Sequence, residues 1–304
     1  MSNNEKYLTF ALPLIRGVLA NEQNAINDII NYSAYRAAQN IKADRLAAYR
    51  QLLYMACRHP EQVPPTLTDE VEEYLGEDAA DFLDDELRSA AEIDSGIVDE
   101  FAECCEADED VLEWYKLYLA QEVVGVKLGS IQRTLETCRT IQNQYGEGQI
   151  PVSISTSSIF VFRDEMKTEY DRVKFAYYIG IRSLCGNGVA VTTSTAIKWR
   201  MVGARNADEL KLALLDKKIK SVWEKYTSKR KYYEIMNELI SSKLIREMPY
   251  NRRICVTASV MDEAAFVEAI AAKMRTMYAA RKNAEASQSR NRLKSLLTKE
   301  LNKN

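Results

Sequence analysis

Residues that interrupt helices are scarce in this chain, and this scarcity constrains its fold more than any other feature. Only 11 glycines and 6 prolines are spread over 304 residues. Glycine and proline cost a helix interior the most free energy, about 1 and 3 kcal/mol relative to alanine. Between them, apolar residues recur every three or four positions, as on the buried face of a helix. We therefore predict a mainly α protein with short connections.

The breaks that do occur divide the chain into five regions. Two or three helices are predicted over 6–58, and the prolines of PEQVPP at 60–65 end this block because proline cannot continue a helix. GEGQIP at 146–151 is a second break. The predicted regions are a helical N-terminal region at 1–65, an acidic amphipathic segment at 66–110, a helical hairpin at 111–150, a winged-helix domain at 151–260 and a C-terminal helix with a basic tail at 261–304.

Charge is distributed very unevenly between the two halves. Residues 1–150 carry 12 Lys and Arg against 28 Asp and Glu, a balance of -16, which leaves 29 against 16, or +13, for the rest. Such a split indicates that the halves have different partners, or that they face each other. An intramolecular contact of the acidic segment 66–110 with the basic domain is one such arrangement. Solvated acidic helices with breaks near Gly76 and Gly96 are the simpler interpretation.

The region 111–145 is predicted to form two helices joined at Gly125 and Gly129, with Ser130 capping the second. It fits an ordinary helical hairpin, and a second helix-turn-helix is the alternative. In that alternative the second helix would expose Gln132, Arg133, Glu136 and Arg139. The following SISTSSIFVF, at 153–162, predicts a strand or a polar linker that runs into one.

From 164 to 260 the predicted order is a helix, a short strand, three helices and two strands. The leucines at 210, 212, 214 and 215 are assigned mostly to the interior. Thr227 or Ser228 caps the last helix, which should bury Tyr232, Ile235, Met236, Leu239 and Ile240. LIREM and RICVTAS then pair across a turn around PYNR.

A basic helix start followed by a basic hairpin is typical of winged-helix DNA-binding domains, in which the helix enters the major groove. Lys and Arg neutralise phosphates, and Asn and Arg can form paired hydrogen bonds with adenine and guanine edges. Residues 217–304 hold 20 Lys and Arg against 9 Asp and Glu. The candidate nucleic-acid-binding residues are Lys229, Arg230, Tyr233, Asn237, Ser241, Arg252 and Arg253.

A family resemblance supports this interpretation. AYYIGIRSLCGNGVAVTTSTAIKWRMVGA, followed by KYTSKRKYYEIMNELISSKLI, resembles a family of bacterial proteins associated with accessory and mobile genetic elements. The similarity extends upstream into KLGSIQRTLETCRTIQNQY and so covers 110–260. That family brings no established activity. It implies a winged-helix fold like that of DNA-binding and replication-initiation proteins.

Other classes of function find little support. The single histidine, His59, forms only C-x-H with Cys57, so we expect no zinc site and no Cys–His catalytic pair. No phosphate-binding glycine motif occurs, and no cofactor is expected. The six cysteines suggest no disulfide framework, and no apolar run is long enough to span a membrane. We therefore expect a cytoplasmic protein that is not an enzyme and has no metal or cofactor site.

The predicted function is DNA binding, as a regulator or a replication-initiation factor, with double-stranded DNA as the partner. The alternative is a non-catalytic scaffold with the same fold, in which the acidic helices dock a partner. The first part of the 261–304 tail is expected to pack on the hairpin or on a second subunit, which would make a homodimer.

Overall fold

The computed structural model describes residues 5–63, 65–75, 88–104, 108–145, 149–250, 253–259 and 261–301. Over these residues the chain is mostly helical, as the scarcity of glycine and proline predicts. Within the same residues, no helix is both long enough and apolar enough to cross a membrane.

A short strand precedes the N-terminal helices. β1 spans Tyr7–Ala11 and pairs antiparallel with β2, which spans Pro151–Ser155, so that Phe10 lies opposite Val152. The prediction of helices from residue 6 is wrong for this strand. Five residues are too few to distinguish a period of two from a helical one. The conformation is decided by pairing with β2, which lies 140 or more residues further along the chain.

Five of the following helices pack around a common apolar core. Trp114 is fully buried in it, and its indole N–H donates to the Gln62 carbonyl over 3.1 Å. The two helices predicted over 111–145 are confirmed, and the Ser130 hydroxyl caps the second by accepting from the Arg133 N–H. These helices are α1 Ile15–Leu19, α2 Ala25–Ala38, α3 Arg45–Arg58, and, after the acidic segment, α6 Asp108–Val124 and α7 Ile131–Tyr145.

The acidic segment contributes two helices, α4 (Pro65–Leu75) and α5 (Ser95–Cys104), that pack against α3. Phe101 of α5 joins them, with its ring centroid 5.7 Å from that of Tyr49 and 5.6 Å from that of Tyr74. The predicted amphipathic helices are therefore confirmed at these positions. The predicted break at Gly76, the break GEG at 146–148 and the residues between α4 and position 88 lie outside the described residues.

The segment after β2 is a helix where a strand was predicted. The predicted strand at 153–162 ends at Ser155, and α8 occupies Thr156–Glu165. The helix starts here because the Ser155 hydroxyl accepts from the Ser158 N–H over 3.2 Å, which satisfies one of the free amides of the first turn. Ile159 and Phe162, three positions apart, then face the core.

The C-terminal region has one helix more than predicted. The single helix predicted to start at Asn206 or Asp208 and to include Trp223 is two helices. The Asp216 side chain accepts from the N–H groups of Lys218 and Ile219 and starts the second one. The elements are α9 Glu169–Cys185, β3 Ala190–Thr192, α10 Ser194–Met201, α11 Ala207–Ala213, α12 Lys217–Tyr226, α13 Lys229–Ser241, β4 Arg246–Tyr250, β5 Arg253–Thr257 and α14 Glu263–Leu301.

The three C-terminal strands form an antiparallel sheet in the order β3-β5-β4, so the predicted pairing of LIREM with RICVTAS is confirmed. Its two faces are covered differently. Val191, Cys255 and Met248 lie side by side across the strands and contact Phe266 and its neighbours at the start of α14. The adjacent row, which includes Val256, packs into the main helical core. The sheet is thus enclosed between the helices and α14.

Two arginines join elements that are distant in sequence, and one of them, Arg16, joins the two halves of the chain. Arg182 of α9 is only 7% exposed and donates to the carbonyls of Ser153 in β2 and of Ala258 just after β5, over 3.1 and 3.2 Å. Arg16 of α1 donates to the carbonyls of Val202 and Gly203, both over 3.0 Å, at the end of α10. The main core accordingly runs without interruption from Leu8 to Ala258.

Candidate nucleic-acid interface

Helix α13 is positioned by its cap and by one buried face. The Ser228 hydroxyl accepts from the Lys231 N–H over 3.3 Å, which selects Ser228 from the two predicted caps. Tyr232, Ile235, Met236 and Leu239 are buried as predicted. Ile240 is 39% exposed, which corrects the prediction for that residue. At 100° per residue it lies about 90° from the middle of the buried face, so the core does not reach it.

The opposite face of α13 holds the predicted binding residues. Arg230, Tyr233, Asn237 and Ser241 are all exposed. Their spacing of three, four and four residues places them in one line along the helix. Lys229 is exposed beside the start of this line, in the first turn. The structure therefore brings five of the seven predicted residues together on one accessible surface.

The acidic residues of α13 have cationic or hydroxyl partners. Glu234 pairs with Lys231 over 2.9 Å. Glu238 accepts from the Tyr170 hydroxyl over 2.8 Å and lies 3.8 Å from the Lys174 ammonium. By contrast, neither Lys229 nor Arg230 lies within 4.0 Å of a carboxylate in the described part of the chain. The exposed face is therefore positive at its N-terminal end.

The preceding helix extends the positive surface. Residues 217–231 contain seven Lys and Arg against the single acidic residue Glu224. Lys217, Lys218 and Lys220 are exposed along α12, and Lys220 lies 4.0 Å from Glu224. These three lysines are absent from the predicted site, although the run KKIK immediately after the Asp216 cap was a usable signal.

The hairpin contributes one described arginine. Arg253 is exposed at the first position of β5 and lies opposite Tyr250, which is 42% exposed. The predicted site residue Arg252 lies outside the described residues. Arg253 thus places a cation at the end of the hairpin nearest its turn.

Behind α13 lie three polar side chains, of which Tyr232 is buried and Lys198 and Glu247 are half-buried. The Tyr232 hydroxyl is buried without a hydrogen-bond partner among the described residues, and the Lys198 ammonium lies 5.3 Å from the centre of its ring. Glu247 of β4 lies in the row of the sheet that faces these helices, and burial raises the pKa of its carboxyl. Burial also lowers the pKa of Lys198. These groups lie on the side of α13 away from the exposed face.

The second candidate helix pair, α6 and α7, has a different character. Gln132 is half-buried, whereas Arg133, Glu136 and Arg139 are exposed. Arg139 pairs with Asp110 and Glu113 of α6, and these hydrogen bonds raise its pKa. One of its two cations is therefore bound within the helix pair, which favours the helical-hairpin interpretation.

The part of the chain that the structure describes was searched for side chains that could hold a metal ion. Among those residues, no group of three or more His, Cys, Asp and Glu side chains is placed to hold a metal ion. His59 lies 3.8 Å from Glu61 and is exposed.

Comparison of the chain with protein-family models, with curated proteins and with solved structures gave no match.

Proposed function

We propose that residues 169–257 form a winged-helix module and that this module binds double-stranded DNA. The order of elements supports the fold: a helix, a strand, a series of helices ending in α13, and a hairpin that completes a three-stranded antiparallel sheet. In this assignment α13 is the recognition helix and the β4–β5 hairpin is the wing. We assign roles to the individual residues from their chemistry and their position in the structure, not from a homologous protein.

The observation that carries the proposal is the exposed line on α13. A recognition helix needs a continuous accessible face with hydrogen-bonding side chains and a positive end. Arg230, Tyr233, Asn237 and Ser241 supply such a face, and Lys229 adds charge beside it. The proposal assigns Arg230 and Asn237 to base edges, because guanidinium and amide groups pair with guanine and adenine respectively.

The remaining cations are assigned to the sugar–phosphate backbone. Lys229 and the lysines of α12 would neutralise phosphates beside the groove, and Arg253 would do the same at the wing. Such contacts are independent of sequence and release counterions, so they make binding sensitive to salt. The cellular role proposed is that of a regulator or a replication-initiation factor.

The test is a DNA-binding measurement on a random-sequence duplex pool at two or more salt concentrations. Changing Arg230, Arg252 and Arg253 together to alanine should weaken binding and reduce the slope of log K against log salt by about 0.9 for each phosphate that is no longer neutralised. A matched control changes Lys127, Arg133 and Arg163, three cations on α6–α8 and their connections, and should leave the slope unchanged. Equal slopes for wild type and the α13–wing variant would contradict the assigned surface.

A second candidate function rests on two exposed leucines. Leu212 and Leu215 near the end of α11 are 66% and 77% exposed, which corrects their assignment to the interior. Exposed apolar side chains close together are typical of protein-docking surfaces. A scaffold role predicts that Leu212→Ser with Leu215→Ser changes the mass of a native complex while DNA binding is unaffected.

A further inference from the structure

Helix α14 continues far beyond the part that packs on the sheet. It spans Glu263–Leu301, 39 residues, which corresponds to a length of about 58 Å at 1.5 Å per residue. Phe266 and Ile270 are buried against the sheet. From 271 to 294 every side chain except Met274 is exposed. We call residues 271–294 the projecting part of α14.

The composition of the projecting part favours a polyanionic partner. It contains seven Lys and Arg against one acidic residue, Glu285. Nine alanines between 264 and 286 favour the helical conformation without tertiary contacts. An isolated helix in water is nevertheless only marginally stable, so binding to a partner would stabilise it further.

Three of its cations form a stripe. Arg275, Lys282 and Arg290 are separated by seven and eight residues, and at 100° per residue they lie within about 80° of one another around the helix axis. In the described part of the chain, none of the three lies within 4.0 Å of a carboxylate. Arg281, on another side, pairs with Glu285 over 2.8 Å. Arg275, Lys282 and Arg290 therefore place three positive charges without an ion pair among the described residues on one side of the helix.

The apolar side chains do not form a corresponding stripe. Met277, Tyr278 and Leu293 are 37%, 72% and 60% exposed. Met277 projects about 100° from Tyr278 and about 160° from Leu293 around the axis, and Leu293, about 60° from Tyr278, lies 15 residues further along the helix. Self-association of helices requires an apolar seam repeated every three or four residues. A second copy of this helix is thus a poorer partner than a chain of phosphates.

We propose that Arg275, Lys282 and Arg290 bind the sugar–phosphate backbone of DNA that is held by α13 and the wing. The stripe is about 22 Å long, with its cations about 10 and 12 Å apart, so that each would contact a separate phosphate. This inference rests on the proposed function. It adds a second DNA-binding surface, on a different element, that enlarges the footprint without contributing base specificity.

The experiment compares two charge-matched variants of the full chain. Lys282→Gln with Arg290→Gln removes two cations of the stripe. Arg281→Gln with Arg292→Gln removes two cations from another side of the same stretch. Binding to a 30-base-pair duplex is measured by fluorescence anisotropy at several salt concentrations, and circular dichroism checks that helix content is retained.

The plot of log K against log salt should be less steep for the stripe variant, with a slope about 2 smaller in magnitude. Each phosphate left without its cation decreases the magnitude of the slope by about 0.9. The control should keep the wild-type slope. If wild type binds and both variants keep its slope, or both lower it equally, the stripe proposal is overturned while the proposed function stands. A stripe variant that changes from dimer to monomer in sedimentation would also overturn it, in favour of an interface between copies. Absence of binding by wild type at low salt would overturn the proposed function and the stripe with it.

Discussion

The polar groups of Tyr232 and Glu247 lie on the inner side of helix α13, where their burial lowers the stability of the folded state. The Tyr232 hydroxyl is buried without a partner in the described structure, and the ionised form of Glu247 is disfavoured by burial. The exposed face of the same helix holds its polar groups in water. Stability and the candidate interface are therefore separable, because they depend on different sides of one helix.

Glu247 provides a prediction about pH. Its pKa in the folded protein lies above the ordinary value of 4.5, so the folded state keeps a proton that the unfolded chain has already released. Stability should consequently fall as the pH rises through this interval, and the penalty should remain at neutral pH. Glu247→Gln keeps the shape of the side chain and cannot ionise. We expect a higher urea midpoint at pH 7.5 and a smaller difference between pH 4.5 and pH 7.5.

The matched control is Glu165→Gln, a substitution at an exposed position at the end of α8. It should leave both the midpoint and its pH dependence close to wild type, since surface substitutions usually change stability by less than about 0.5 kcal/mol. An unaltered pH profile in the Glu247 variant would show that burial of this carboxyl does not contribute to the pH dependence of stability.

At the scale of elements, α9 and α10 approach each other closely at Gly180. A Cβ atom at Gly180 would lie 3.0 Å from the Met201 nitrogen and 3.1 Å from two atoms of Arg200. Two of these three atoms belong to the backbone of α10, which cannot rotate away as a flexible side chain can. The contact fixes the position of α10 against the long core helix, and with it the connection that leads to α11.

Gly180→Ala is therefore expected to destabilise the protein by about 1–3 kcal/mol through overpacking, although alanine is the better helix former. The control is Gly129→Ala, where an added Cβ meets nothing within 4 Å. Thermal unfolding of both variants measures the difference. A stabilised Gly180 variant would mean that the helices can separate at no cost.

Local signals in the sequence predicted α13 and the hairpin because their boundaries are local. Ser228 caps the helix, four apolar residues at helical spacing define its buried face, and the hairpin strands are neighbours in sequence. How far the core extends around a helix is not local, and for this reason Ile240 and Leu212 were misassigned to the interior. The winged-helix assignment and the roles of the site residues stay predictions, which the DNA-binding measurements test.

The strand β1 shows the other limit. Its pairing with β2 depends on residues 140 to 148 positions away, and a five-residue pattern cannot indicate such a partner. The charge pattern of the acidic segment also does not by itself predict a contact partner.

The described helices of the acidic segment pack on α3, and no ion pair within 4.0 Å joins their described residues to the described residues of 217–294. The predicted contact of 66–110 with the basic domain is therefore a hypothesis without an observed ion pair.

For the whole molecule, the continuous core implies that the two halves unfold cooperatively. The continuous core and the hydrogen bonds of Arg16 to the Val202 and Gly203 carbonyls connect the acidic and basic halves. Trp114 lies in the first half, and Trp199 and Trp223 lie in the second. Fluorescence of each set can be isolated by replacing the other with phenylalanine.

We expect both sets of tryptophans to report the same denaturant midpoint, as for a two-state transition. Arg182→Met should lower both midpoints together, because it leaves the Ser153 and Ala258 carbonyls without a charged donor, at a cost of about 1–3 kcal/mol for each unsatisfied group. Arg133→Met, at an exposed position, serves as the control. Separate midpoints would show that the halves unfold independently.

The β1–β2 pair also sets an order of events during synthesis. β1 emerges from the ribosome about 140 residues before β2, which ends at Ser155. At about 5–20 residues per second, roughly 7 to 30 seconds pass before β2 follows. Throughout this interval the strand YLTFA exposes an unpaired edge, which is a site of aggregation in nascent chains. The β1–β2 pair therefore cannot form until Ser155 has been translated.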